Sequence, residues 1–517
     1  MPTGPILAQR ALMLAKIETT YNVDSLPVPA TDAFLVSNAD VKINPNVLTR
    51  DFYRPSMSKL PSAVGRKLAS LTFSSEIKGA GGAGSPKLGA LLRACGFAQT
   101  LIGATAAAVI QNPVASSANT GPAVTWTKAA AATTGFTRYK VKVVLGGASA
   151  TAKVMVTGNP AEYNETSILP SDEVSATVMG PGKTTTIAVD KTAPLAPTFT
   201  VATPKIGDVV VVCIYGIRIK YTIASAVAAT EATALAAAIT AVMTANADTR
   251  FTVAAATAVV TATIVGGVTV VTTATTNINL GVSGGQVNMT WTGSLVLGDS
   301  WTVDCLRPGY HYTPVSANFE SMTMYMYYDG TLHRLTGCIG TVQFTATAGA
   351  FGMAQFTFTG QYNDPDDQPL PLTSVFEPSA PVQVELAGLA VGGAENIAAQ
   401  SFNIDMGITV NPRESVSHPD GYNGVLYGGR DPKGGFNPEM EFESVEPYWR
   451  NLAVATLLRF YARVGTVTGN IVYFVSNTIQ LTNVAYSTRN TQRVYDMSIH
   501  FVQDKDAGDD ELRIVFA

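Results

Sequence analysis

The run Met322–Tyr328, Asp329-Gly330, Thr331–Leu335 constrains this chain more than any other stretch. Two segments rich in residues that favour strands flank a dipeptide able to take the positive φ angles of a tight two-residue turn, so the run reads as a hairpin. Val342–Thr347 and Gln355–Thr359 read as a second hairpin, joined through Gly349 and Gly352. Similar short runs of Val, Ile, Thr, Phe and Tyr, broken by Gly, Asn, Asp and Pro, fill most of the 517 residues, and the expected fold class is mainly β.

Helices are expected at three places. Leu88, Leu91, Leu92 and Cys95 lie at i, i+3, i+4 and i+7 within Pro86–Phe97, with Gly96 placed to end the helix. Val454, Leu457, Leu458 and Tyr461 repeat that spacing after Pro447, predicting a helix that ends before Gly465. An Ala-rich helix is expected from about Ala229 to Asn246.

Two distant parts share one order of elements. Phe34–Ile43 reads as a strand ending in Ile43-Asn44-Pro45, followed by a long polar loop, a strand Leu71–Ile77 and the first helix. Phe402–Val410 ends in Val410-Asn411-Pro412, followed by a long loop, a strand Met440–Val445 carrying Phe442 and Glu443, and the helix after Pro447. A hairpin pair, Ile471–Leu481 with Arg493–Val502, then matches Met322–Thr359. The offset is 367 at Asn44/Asn411, and a duplication is the reading. The first copy would then comprise 1–104 and 314–380, and the second 381–517. Residues 105–313 would be an inserted β-rich region, with strands at Tyr139–Leu145, Ala152–Thr157, Thr184–Val189 and Leu295–Leu306. A β-α-β unit at about 196–290 would be nested inside it, a size that surface insertions tolerate because loop closure is cheap.

Phe251–Gly298 contains no charged residue, yet its Thr content, Gly266-Gly267 and Val-Thr alternation favour strands over a membrane span. Charged residues make up only 14% of the chain, against roughly 25% in ordinary soluble domains. Such a composition fits a subunit whose surface is largely covered by neighbours. A net charge of -4 argues against a protein that grips phosphates. The four cysteines (Cys95, Cys213, Cys305, Cys338) are far apart, as expected of buried thiols, and Met1–Lys16 shows no secretory signal.

No catalytic, cofactor or metal residues are expected. Gly180-Pro-Gly-Lys183-Thr184 lacks the first glycine of a phosphate loop and precedes a strand rather than a helix. His311, His333, His418 and His500 lie on separate segments without metal-ligand spacing. Asp364-Pro-Asp366-Asp367 lacks the glycine and distal glutamate of a calcium hand. Asp504, Asp506, Asp509, Asp510 and Glu511 read as a solvated acidic loop, with ring stacking or lumen lining as the lesser alternative.

Tyr21-Asn-Val-Asp24, Pro29-Ala-Thr-Asp32-Ala-Phe and Leu88–Phe97 resemble the opening of the tail tube proteins of long-tailed bacteriophages. Pro314-Val-Ser316, Met322–Gly330, Leu335-Thr-Gly337 and Gly360-Gln-Tyr362 resemble the closing strands of the same domain. The resemblance covers roughly the first 100 residues and the last 200, and the inserted region resembles only generic Ig-like decoration modules. It implies two tandem tube domains, each a β-sandwich or barrel with one flanking helix, whose sheets join edge to edge around a ring. Two copies per chain imply a trimeric, pseudo-hexameric ring. The implied function is a structural virion protein, not an enzyme, forming stacked rings through which the genome passes into the host. Its implied partners are further copies of itself, the tape measure protein, tail terminator and tip proteins, and DNA in transit, without membrane insertion. Assembly would occur in the host cytoplasm, in a siphophage-type tail. The resemblance also implies long loops reaching the next ring, here Asn44–Arg66 and Asn411–Gly435, with Arg50, Arg54, Lys59, Arg66, Lys67, Arg413, Arg430 and Lys433 as contact residues. A surface adhesin or fibre with a carbohydrate-binding insertion is the alternative; it predicts exposed aromatic clusters in the inserted region, which holds few aromatics, namely Trp126, Trp291 and Trp301 plus scattered Tyr.

Overall fold

The computed structural model describes residues 7–517 except 8–9, 83, 104–109, 117–118, 129–136, 146, 148–152, 158–173, 180–183, 191–195, 215–216, 246–250, 265–267, 271–274, 280–285, 385–387, 393–396, 442–446 and 468. The chain is mainly β, and every strand pairing among the described residues is antiparallel, the neighbours being joined by hairpins and long returns. A first unit contributes β1 (Ala11–Ile17), β2 (Ser37–Leu48), β3 (Ala63–Glu76), α1 (Leu88–Ala94) and β4 (Phe97–Ile102). The chain then runs through an insertion containing α2 (Ala228–Ala245) and returns as β5 (Gly309–Pro314). The first unit closes with β6 (Met322–Tyr328), β7 (Thr331–Thr347), β8 (Met353–Tyr362) and the short β9 (Asp366–Asp367). A second unit contributes β10 (Gly388–Val391), β11 (Ala399–Asp405), β12 (Thr409–Glu414), β13 (Tyr422–Gly429) and β14 (Lys433–Pro438). It continues with α3 (Tyr448–Ala453), β15 (Leu457–Val464), β16 (Val472–Arg489), β17 (Gln492–Phe501) and β18 (Arg513–Phe516).

The two units repeat one strand order. In the first, neighbours run β2-β3-β8-β7-β6-β1. In the second they run β11-β14-β17-β16-β15-β10. A closing strand returns to the start of the longest one in both: β9 on β7, β18 on β16. Register repeats as well. Val41 pairs with Leu71 and Val47 with Val64, while Ile404 pairs with Gly434 and Val410 with Tyr427, so all four positions differ by 363. The Asn-Pro dipeptides, 367 apart, are therefore not equivalent positions.

The Asp329-Gly330 turn forms as expected, with positive φ at both residues. The helix expected to end before Gly465 stops at Ala453 instead. Ala455 takes a positive φ, and Leu458, Phe460, Ala462 and Val464 then alternate inward as β15 between β10 and β16. The strand preceding α3 is Lys433–Pro438, not Met440–Val445; 442–446, including Phe442 and Glu443, lie outside the described residues.

A single core spans both units. Phe73 stacks on Phe356 and Phe358 in the first, with ring centroids 5.4 and 6.0 Å apart. Phe344 of β7 meets Phe474 of β16 at 5.0 Å, and Phe402, Phe460 and Phe501 extend that contact through the second unit.

The insertion leaves and re-enters at one point. β4 and β5 pair from Phe97↔Pro314 to Ile102↔Gly309, and the Val315 amide donates to the Gly96 carbonyl at 3.0 Å. Within it, α2 turns Leu235, Ile239 and Met243 onto Phe199, Val212 and Val260. The strand-helix-strand order is present but is no crossover unit. The strands on either side of α2, Ile217–Thr222 and Phe251–Ala256, lie in different sheets, each closed by its own hairpin. The charge-free stretch forms further short strands, and no described helix is long and apolar enough to cross a membrane.

β5 also pairs with β18, tying the stem of the insertion to the second unit. His311 sits at this seam, its Nε2 2.7 Å from the Arg307 carbonyl and its Nδ1 3.3 Å from an Arg513 guanidinium nitrogen. Burial, reinforced by the Arg513 charge, pushes its pKa down to about 3. The unfolded chain therefore takes up this proton below pH 6.5 while the folded chain resists it until about 3. Stability should fall by about 1.4 kcal/mol per pH unit across that window. Thermal melts between pH 7 and 4 should show this slope, and His311→Gln should flatten it.

Candidate functional site

Two hairpin arms and two strand edges distinguish this molecule. The first arm is the outer part of β2 and β3, paired from Asn44↔Leu68 to Leu48↔Ala63. Its tip is solvent-exposed: Arg50 lies over the Phe52 ring at 5.8 Å, Arg54 donates to the Ser58 carbonyl, and Phe52, Tyr53, Met57 and Lys59 face solvent.

The second arm is β12–β13, and it is not the free loop expected over Asn411–Gly435. It lies on the first unit of its own chain. Val425 packs on Leu68 and Ile339. The Tyr21 hydroxyl donates to the Val425 carbonyl at 2.8 Å and accepts from its amide at 2.6 Å. Tyr427 donates to the Ala94 carbonyl at 2.7 Å, stacks on Phe319 at 4.2 Å, and lies where a side chain on Gly96 would otherwise sit. Gly96 has φ +75°, so the end of α1 provides both the turn and the room for that ring.

The eight cationic residues expected at contacts separate into distinct roles. Arg66 pairs with Glu414 and covers the Tyr422 ring at 5.2 Å; Lys67 lies 3.9 Å from Asp420. Arg413 is exposed near Tyr21, where its charge opposes the upward push of burial on the Tyr21 hydroxyl. These three gather where the second arm meets the first unit. Arg430 is locked between the units, donating to the Val315 carbonyl at 2.7 Å and to Asp509 and Glu511. Burial disfavours its charge, but the two carboxylates outweigh that and hold its pKa above the ordinary value. Lys433 pairs with Asp431, and Arg50, Arg54 and Lys59 remain on the free tip. The acidic run is no simple solvated loop, because Asp510 accepts the Asp504 and Lys505 amides, both at 3.0 Å.

The edges are complementary in the same sense as the arms. The C-terminal part of β7 pairs with β11 from Gln343↔Asp405 to Thr347↔Ser401, joining the sheets of the two units edge to edge. The equivalent part of β16, Asn483–Arg489, pairs only with β17 among the described residues. The strand equivalent to β11 is β2, which pairs only with β3 among the described residues.

No cluster of three or more His, Cys, Asp or Glu among the described residues could hold a metal. Residues 180–183 of the glycine-rich Gly180–Thr184 run lie outside the described residues, and Thr186–Asp190 after them is a strand. Asp366 pairs with Arg334, and the Asp420 amide donates to His418 Nδ1 at 3.3 Å. Trp291 and Trp301 are buried and Trp126 is half-buried against Trp301, so they form core rather than an exposed aromatic platform. No known protein-family model matches the sequence, and no curated protein matches it.

Tyr21→Phe removes the one hydroxyl that serves both backbone groups of Val425. The expected cost is about 1–2 kcal/mol. Amide exchange across Tyr422–Gly429 should accelerate about tenfold while Met353–Tyr362 is unchanged, as read by mass spectrometry.

Proposed function

We propose that the chain is a self-assembling structural protein whose copies join edge to edge into closed rings that stack as a tube. The observation that carries this reading is the β7–β11 junction. It is a sheet-to-sheet contact already made once inside the chain, while the equivalent edges, β2 and the end of β16, have no such partner among the described residues. Repeating that contact between copies adds β2 of one chain to β16 of the next, and each addition leaves the same edges free. A head-to-tail interface of this kind gives rings when its rotation closes and filaments when it does not. Closure pairs the β2 and β16 edges, which left open would invite aggregation.

The resemblance to phage tail tube proteins supplies the symmetry: three chains, six similar units, and a lumen through which DNA passes. Low charge and mild acidity suit a surface covered by neighbours and a conduit that does not retain a polyanion. The burial of Trp291 and Trp301 gives the adhesin alternative no support.

Electron microscopy of the purified chain across a concentration series tests the proposal. Rings of six-fold appearance, with mass photometry giving three chains, are expected. A chain that stays monomeric at every concentration sinks it.

A further inference from the structure

We infer that the first arm, residues 44–66, clasps the C-terminal end of α3 in a second copy within the same ring, rather than reaching the ring above. This rests on the ring reading and adds to it where the arm goes.

The argument is the internal repeat. The shift of 363 that maps β2 and β3 onto the second unit maps Val47 onto Val410 and Val64 onto Tyr427. Tyr427 occupies the end of α1, where Ala94, Cys95 and Gly96 are all buried. The end of α3 has the same geometry: Val454 follows Cys95 in φ, at -105° against -97°, and Ala455 takes the positive φ of Gly96, at +53° against +75°. Yet Ala453, Val454 and Ala455 are all exposed, and Leu457 beside them is exposed too. An arm covers one seat, and the other is bare.

The unpaired arm offers matching surface. Val47, Leu48 and Val64 are exposed aliphatic side chains on a hairpin that projects from its own sheet. Val64 on β3 is 61% exposed and Val454, in the turn that ends α3, 67%, so both side chains are free to pack against another chain. Size also covaries between seat and occupant. Gly96 has no β-carbon and receives the ring of Tyr427, which would lie 3.1 Å from one. Ala455 has a β-carbon, and the equivalent arm residue is the smaller Val64. Because β11 and the second arm approach the first unit together, β2 and the first arm approach the next copy together, which keeps the clasp within one ring.

Full-length protein carrying Val64→Cys and Val454→Cys tests the assignment, with a short bismaleimide as the probe and each single substitution as control. Cross-links are expected in the smallest closed oligomer, forming a ladder that stops at the ring's chain number. A Val64→Asp variant, with unchanged circular dichroism as monomer, should raise the concentration needed for assembly about tenfold. Cross-links found in stacked tubes but absent from isolated rings would overturn the clasp while leaving the rings intact. Rings that form without any cross-link, and at the same concentration in Val64→Asp, would do the same. A wild-type chain that forms no rings at all would remove the tube reading together with this one.

Discussion

The whole arrangement depends on how one long strand divides its edge. β8 covers one side of β7 along most of its length, but the other side is shared: β6 takes the N-terminal part and β11 the C-terminal part. A strand edge left open in water retains unmatched amides and carbonyls and offers a template to any other strand. β7 resolves this by recruiting the next unit. That pairing brings Phe344 onto Phe474 and Phe402 onto the same ring, so the backbone contact and the continuous core are one event. It also carries the second arm onto the first unit, where Tyr21, Leu68 and Ile339 receive it.

The parts of this design legible in the sequence are the local ones. The Asp329-Gly330 hairpin, α1 and the Ala-rich helix are visible because turn chemistry and a 3.6-residue period act over a few residues. The repeated order of elements is visible too, since each element leaves its own trace. Failures fall where two readings share one pattern. Leu457, Leu458 and Tyr461 fit a helix, but Leu458, Phe460, Ala462 and Val464 fit a strand equally, and no glycine marks the positive φ at Ala455. β14 escapes notice for the opposite reason. Gly434 and Gly435 give it almost no strand propensity, yet a β-carbon on Gly434 would lie 2.5 Å from the Asn403 carbonyl and 3.2 Å from the Phe501 ring. Close packing between strands demands a residue that hides the strand.

The candidate site was legible only as a set of charges. Arg50, Arg54, Lys59, Arg66 and Lys67 stand out in a polar loop, but Glu414 and Asp420, the partners of Arg66 and Lys67, come from more than three hundred residues away. Arg430 looks like its neighbours in sequence and differs from them entirely in setting, being held by Asp509 and Glu511. Removing Arg430 would be expensive because the buried Glu511 carboxylate would lose its partner, whereas Asp509 is more exposed and keeps the Ser316 donors. Sequence spacing carries no information about such long-range closure.

The insertion makes the repeat unequal. In the second unit α3 leads straight into β15, beside the edge strand β10. In the first, the equivalent point is the Gly96–Val315 contact, where the chain departs for more than two hundred residues and returns to the same place. Its stem then pairs with β18, the closing strand of the other unit. β18 is thereby engaged on both sides, by β5 and by β16. Its counterpart β9 pairs with β7 and, among the described residues, with no stem strand, so the two closing strands differ in what they carry and the stem joins the insertion to the second unit as well as to the first.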